Sequence, residues 1–374
     1  MFPPKRESGK KNKEVKAAEF EKLHAGFAFF KIAFHIPKCS NEPFSKLTHQ
    51  HTEKSMRHFL KETDLNVEEA AYVFELAAKL KAERGSPSAP KPLADQSWGL
   101  LFFKKSTRTR VSFQVGVREL GGNPVMLNAE DMQLARGETP EDTAKVLSRY
   151  LHGMVIRCHE HALLETFVKE GSMPVVNALS DFLHPCQFYT DMFTLAERWS
   201  GGNAKEMGKS LRGRKIVFIG DTACNMGNTF ALGCVHLGME VVLCGPAGYE
   251  PTAELYKQFK ADGIAPNFTF TTDPEAAAKG ADVLYTDVWV SMGMEDEKER
   301  RLREFRPYQV NEHLMSLADK NAYFMHCLPA HIGEEVSEGV LKGPQSIIFD
   351  EAENRLHTQK AILAFLAQEN AKRR

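Results

Sequence analysis

The seven cysteines of this chain include no Cys-x-x-Cys pair; positions 39, 158, 186, 224, 234, 244 and 327 are scattered and odd in number. This argues against a zinc centre or a disulfide framework and for reduced thiols in a cytosol-like compartment. Long apolar runs are missing too. None reaches the roughly 18 residues that span a bilayer, and the longest candidate, 25–36, is interrupted by Lys31. Neither sign of charge dominates. A formal net charge of -1 gives no global field that favours nucleic acid or an acidic membrane, so any anion site must be local. No G-x-x-x-x-G-K-[ST] exists, which excludes a Walker loop. G-x-G-x-x-G is absent as well: the strand-to-helix stretch 215–228 offers Gly220, Thr222 and Asn225. A bulky Thr222 where backbone must approach a pyrophosphate argues against a dinucleotide site.

What is present fits a globular protein. The 374 residues exceed one comfortable core and suit two domains; 43% are hydrophobic and 26% charged. Residues 1–55 carry 11 Lys/Arg against 6 Glu with little periodicity. We expect a disordered or loosely docked extension there; an organelle address, which is usually Arg-rich and poor in acids, fits less well. From Met56 the text is orderly. Apolar residues at helical spacing over 67–84, with Asp64 or Asn66 as cap, predict a helix. Strands are expected at 98–103, 123–128, 153–157 and 174–179, with helices at 109–120 and 140–151. After a Gly/Asn-rich hinge at 200–208 come KIVFIG, EVVLCG, DVLYTD, AYFMHC and SIIFD, each expected as a strand, then a final helix over about 356–371. Strands alternating with helices predict an α/β fold with parallel sheets.

In such sheets ligands bind beyond the carboxyl ends of strands, and polar residues cluster there. After 98–103 comes KKSTRTR, with Ser106, Thr107, Arg108 and Thr109 opening a helix. Unpaired amides, the positive end of the helix and a guanidinium suit a phosphate or carboxylate; a plain helix cap is the bland alternative. Lys104 and Lys105 are weaker candidates, since exposed lysines usually point into water. Arg157 ends a strand, facing either solvent or a ligand. In H-P-x-Q, His184 suits an oxygen that gains charge and Gln187 suits an amide-like group, although a capping His is equally ordinary. Asp287, followed by Ser291 and Met292, suits the head of an amino acid. Cys327 is either a buried structural thiol or a contact to a substrate amine.

Taken in order, S-T-R-T-R (106–110), Gln133, R-G-E (136–138), Arg157, H-P-C-Q (184–187), D-x-x-x-S-M-G (287–293), H-C-L-P (326–329) and E-N-R-x-H (353–357) resemble the aspartate/ornithine carbamoyltransferase family over about 56–371. D-V-W-V-S-M-G and H-C-L-P point to its ornithine-using members. Phe103, Ala135 and Thr222-Ala223-Cys224 depart from common family forms. The resemblance implies two parallel-sheet α/β domains joined by interdomain helices. A carbamoyl-phosphate domain would cover 56–199, completed by the C-terminal helix 356–374, and an ornithine domain 200–355.

The resemblance further implies that Ser106, Thr107, Arg108, Thr109, Gln133, Arg157, His184, Gln187 and Arg355 hold carbamoyl phosphate. Asn225, Asp287, Ser291 and Met292 would hold ornithine, with Cys327 and Leu328 where the substrates meet. Arg108, His184, Asp287 and Cys327 would carry the chemistry. No metal or organic cofactor is implied, nor any nucleic-acid or membrane partner. The implied assembly is a homotrimer with sites at subunit boundaries. The implied reaction moves a carbamoyl group to the δ-amine of L-ornithine, giving L-citrulline and phosphate, in cytoplasmic arginine biosynthesis or in reverse in arginine catabolism. Alternatives are another acceptor, such as putrescine, N-acetylornithine or aspartate, or a non-catalytic paralogue acting as a binding subunit.

Overall fold

A computed structural model of the chain describes residues 56–290 and 295–373. The extension expected at 1–55 lies outside the described residues. The Val/Ile/Leu/Phe-rich runs form two sheets in which every strand pair is parallel. One contains β1 (Ser97–Phe102), β2 (Asn123–Asn128), β3 (Gly153–Arg157) and β4 (Val175–Leu179), in the order β2-β1-β3-β4. The other contains β5 (Lys215–Ile219), β6 (Glu240–Cys244), β7 (Thr269–Thr271), β8 (Val283–Thr286) and β9 (Tyr323–His326), in the order β7-β6-β5-β8-β9. Strands β3 and β8 are buried at every position, as parallel strands covered by helices on both faces must be. The expected two-domain α/β fold is the observed one.

Both strand orders reverse direction. In the first sheet the chain runs from β1 outward to β2, then crosses to β3 on the opposite side. In the second it runs from β5 outward through β6 and β7, then crosses to β8. Connections leaving opposite faces open a crevice beyond the carboxyl ends of the strands at each reversal. The first crevice brings residues 103–107 beside Arg157; the second brings 220–225 beside Asp287.

The helices follow from local chemistry. Asn66 caps helix Val67–Ala82 by accepting from the Glu69 amide, and the Glu69 carboxylate reaches back to the Asn66 amide, a reciprocal box that satisfies two orphan donors. Helix Pro185–Trp199 is buried continuously from Pro185 to Ala196, because it runs through the interior rather than over a surface. Helix Asn225–Leu237 packs on it at Gly233, where a Cβ would stand 2.4 Å from the Phe188 ring; only glycine permits that approach.

Two expectations fail locally. SIIFD is not a strand: Ser346 makes a single bridge to Phe324, and the chain is helical from Ile348 to Ala371. Phe349 is 77% exposed, so the run lacks the continuous burial of an interior strand, and a short apolar run reads the same in either state. The final helix therefore begins earlier than expected. It packs back against helices Val67–Ala82, Arg108–Glu119 and Pro185–Trp199. The short strand β7, exposed or half-buried throughout, is not foreseen, since three residues carry no periodic signal.

Candidate active site

A cavity of about 470 Å³ lies where the two crevices face each other. Its first wall grows from β1. Beyond Phe102 the chain turns into helix Arg108–Glu119, with Thr107 at its N-cap position. Ser106 Oγ accepts from the Thr109 amide at 3.3 Å. The first-turn amides of a helix have no intrahelical acceptor, so its tip is electropositive. Arg108 stands at that tip, and its Nη2 donates to the Leu328 carbonyl at 2.6 Å across the cavity. Leu328 has a φ of 59°, a left-handed conformation uncommon for a branched side chain. The motif H-C-L-P thus places a backbone oxygen, besides its side chains, on the site.

Two more guanidinium groups converge from distant parts of the chain. Arg157 ends β3, and Arg355 lies on the last helix; they are 9% and 4% exposed. Arg355 donates through Nη2 to Thr109 Oγ1 at 2.7 Å and through Nη1 to Gln187 Oε1 at 2.5 Å. Arg157 Nη1 reaches Thr109 Oγ1 at 3.4 Å. Among the described residues none of Arg108, Arg157 and Arg355 is in an ion pair with a carboxylate. Burial lowers the Arg157 pKa to about 10, with Arg355 adding to the effect, and burial lowers that of Arg355. Lys104, at the cavity edge, is lowered by burial and then by Arg157.

His184 precedes helix Pro185–Trp199 and is 3% exposed. Burial, then Arg355 and Arg157, push it well below the usual imidazole range, so it is neutral. Its Nδ1 and the Nε atoms of Arg157 and Arg355 are buried without hydrogen-bond partners. Native proteins leave few such groups. Three of them around one cavity, beside unpaired positive charge, describe a site shaped for a small anion with hydrogen-bonding oxygens.

The opposite wall comes from β8 and β9. Asp287 follows β8, accepts from the Val288 amide at 2.8 Å and receives the Cys327 thiol at 3.1 Å. Burial raises the Asp287 pKa. Burial, reinforced by Asp287, pushes the Cys327 thiol well above its usual range. Asn225 opens helix Asn225–Leu237 and donates to the Ser180 carbonyl at 2.8 Å, which ties the second sheet's crevice to the loop after β4.

Of the residues singled out from sequence, Ser106, Thr107, Arg108, Thr109, Arg157, His184, Gln187, Asn225, Asp287, Cys327, Leu328 and Arg355 all line this one cavity. Gln133 does not: it is exposed, on the short turn Gln133–Arg136 beyond β2. Ser291 and Met292 lie outside the described residues. Lys104 and Lys105, the weaker candidates, do line the cavity, as does His331. The signal for His331 is its place five residues after His326 in the loop that leaves β9.

Comparison with known proteins agrees with this arrangement. Residues 57–197 match the family model described as aspartate/ornithine carbamoyltransferase, carbamoyl-P binding domain, and 212–366 match its Asp/Orn binding domain. An ornithine carbamoyltransferase of Methanosarcina acetivorans is 48% identical, covering 82% of this chain and 98% of its own length. One from Caldicellulosiruptor saccharolyticus is 46% identical over 83% of this chain and 98% of its own. The solved structure of ornithine carbamoyltransferase from Pyrococcus furiosus superposes with a TM-score of 0.74 at 42% identity, covering 83% of this chain and 97% of that one. Matched by both domain models and by relatives along nearly their whole length, the chain belongs to the aspartate/ornithine carbamoyltransferase family.

Proposed function

We propose that the protein transfers the carbamoyl group of carbamoyl phosphate to the δ-amine of L-ornithine, producing L-citrulline and phosphate. The observation that carries this reading is the convergence on one cavity of three guanidinium groups, none of which is ion-paired with a carboxylate among the described residues. Burying unpaired charge is costly, and a phosphorylated anion offsets that cost. Arg108 and the amides of its helix tip would take the phosphate, with Ser106, Thr107 and Thr109 as further donors. Arg157, His184 and Thr109 would surround the carbamoyl carbonyl. Asp287 and Asn225 would hold ornithine, together with Ser291 and Met292.

The neutral δ-amine attacks the carbamoyl carbon, the carbonyl oxygen gains negative charge, and the bond to phosphate oxygen then breaks as the amine loses a proton. Preorganised donors at the oxygen and at the leaving phosphate stabilise charge where it develops. Alignment of two bound substrates supplies most of the remaining acceleration. An amine like that of lysine has a pKa of about 10.4 in water, so the site must select its scarce neutral form. Asp287 and Cys327 would orient it.

Gln133, exposed and not among the lining of its own subunit's cavity, would serve a neighbouring one in a homotrimer. The 56–199 and 200–355 segments would act as the two substrate lobes, in cytoplasmic arginine biosynthesis. The test is citrulline formation by the purified chain from carbamoyl phosphate and L-ornithine, run beside putrescine, N-acetylornithine and aspartate. Turnover restricted to ornithine is expected. A folded chain that carbamoylates none of these acceptors would overturn the reading.

A further inference from the structure

Behind the cavity, and not among its lining residues, two acids are buried beside Gln187. Asp191 lies one turn beyond Gln187 on helix Pro185–Trp199, and Glu351 lies on the last helix; they are 0% and 1% exposed. Their carboxyl groups meet at Gln187, whose Nε2 both accept from, and burial raises the pKa of both. Two carboxylates cannot share such a site without a proton between them.

Gln187 sits between this pair and the cavity. Its Nε2 donates to Asp191 Oδ1 at 2.7 Å and to Glu351 Oε1 at 2.9 Å, which uses both amide hydrogens. Glu351 is itself pinned by the His326 amide at 3.1 Å and by the Tyr285 hydroxyl at 3.3 Å. The Gln187 oxygen therefore faces the other way, toward Arg355. A flipped amide would set its oxygen against the oxygens of two acids, and its N–H groups against a guanidinium. Both faces oppose the flip.

We propose that Asp191 and Glu351 are positioning residues that lock Gln187 with its carbonyl toward the cavity, making that wall an acceptor that selects a donor molecule bearing N–H over an acyl phosphate without one. This rests on the carbamoyl-phosphate reading. A carbamoyl group offers two N–H donors to that oxygen. That oxygen has two lone pairs, and Arg355 takes one; the methyl of acetyl phosphate would leave the other without a donor. Sites built to bond an N–H or O–H reject analogues that lack it.

The test compares Asp191→Ala, Asp191→Asn and Glu351→Leu with the wild-type chain, using calorimetry with carbamoyl phosphate, acetyl phosphate and inorganic phosphate. The Asn variant keeps an acceptor for Gln187 and a donor for Glu351, replacing the shared proton. For Asp191→Ala and for Glu351→Leu the preference for carbamoyl over acetyl phosphate should fall about tenfold, with phosphate affinity little changed; Asp191→Asn should preserve the preference. Weakening of all three ligands in parallel would show a merely structural role and overturn the proposal. So would an unchanged preference in a folded Ala or Leu variant. A wild-type chain that binds no carbamoyl phosphate would instead sink the functional reading beneath it.

Discussion

The thiol of Cys327 donates to Asp287 Oδ1 at 3.1 Å, joining the residues that immediately follow β9 and β8. The bond fixes the direction of the carboxylate and keeps the sulfur protonated, because burial and the adjacent acid both oppose a thiolate. Since the thiolate is the reactive form, the proposed role of Cys327 is to orient rather than to attack. Iodoacetamide should alkylate it more slowly than glutathione at the same pH, as read by mass spectrometry of its peptide. Cys327→Ser, which keeps a donor to Asp287, should retain more activity than Cys327→Ala. Rapid alkylation, or a carbamoylated cysteine trapped during turnover, would contradict this.

Arg108 bridges the helix tip to the Leu328 carbonyl in the structure described here, and would exchange that contact for phosphate. Arg108→Ala should cut citrulline formation on the order of 10²–10³-fold while leaving circular dichroism and the melting profile near wild type. Lysine at this position supplies charge without the two-pronged grip, so Arg108→Lys should recover only part of the loss. Near-normal turnover by a folded alanine variant would remove Arg108 from the mechanism.

The pH profile separates substrate from enzyme. His184 stays neutral throughout the working range, its pKa lying well below the ordinary 6.5. We therefore expect kcat/KM to rise from pH 6 upward as the ornithine amine loses its proton. His184→Asn should lower the whole curve without displacing the rise. A rise that disappears in this variant would show that the imidazole titrates during catalysis.

A buried acid elsewhere sets a pH dependence of stability. Glu62 is 0% exposed, and burial raises its pKa from 4.5 to about 8. Between those values the folded chain keeps this proton and the unfolded chain releases it, so the group's contribution to stability declines as pH rises from 4.5 to 8. Glu62→Gln removes that dependence. Its melting temperature, relative to wild type, should be more favourable at pH 8 than at pH 5. A difference that is the same at both would refute the protonated assignment.

Much of this was legible before any coordinates. Ser106 to Arg108 could be placed at a helix tip because apolar spacing marks the helix and hydroxyl residues mark its start. Arg157 and Asp287 could be suspected because each ends a run of strand-forming residues. SIIFD was misread since its residues favour a strand locally, while the packing of Ile347 and Ile348 favours a helix. Gln187 was legible as a ligand but not as an oriented one: its orientation depends on Glu351, far along the chain.

The sequence by itself determined the alternation of elements, the α/β class and the chemistry available at each strand end, because these depend on side chains and their near neighbours. Only the tertiary structure decided which of those ends share a cavity. It brought Arg108, Arg157 and Arg355 together with no ion pair to any of them among the described residues, left Gln133 outside, and buried Asp191 and Glu351 on the same Gln187 amide. The physical reason is that charge pairing, desolvation and hydrogen-bond direction are set by contacts between segments remote in sequence, which exist only once the strand orders and packed helices are in place.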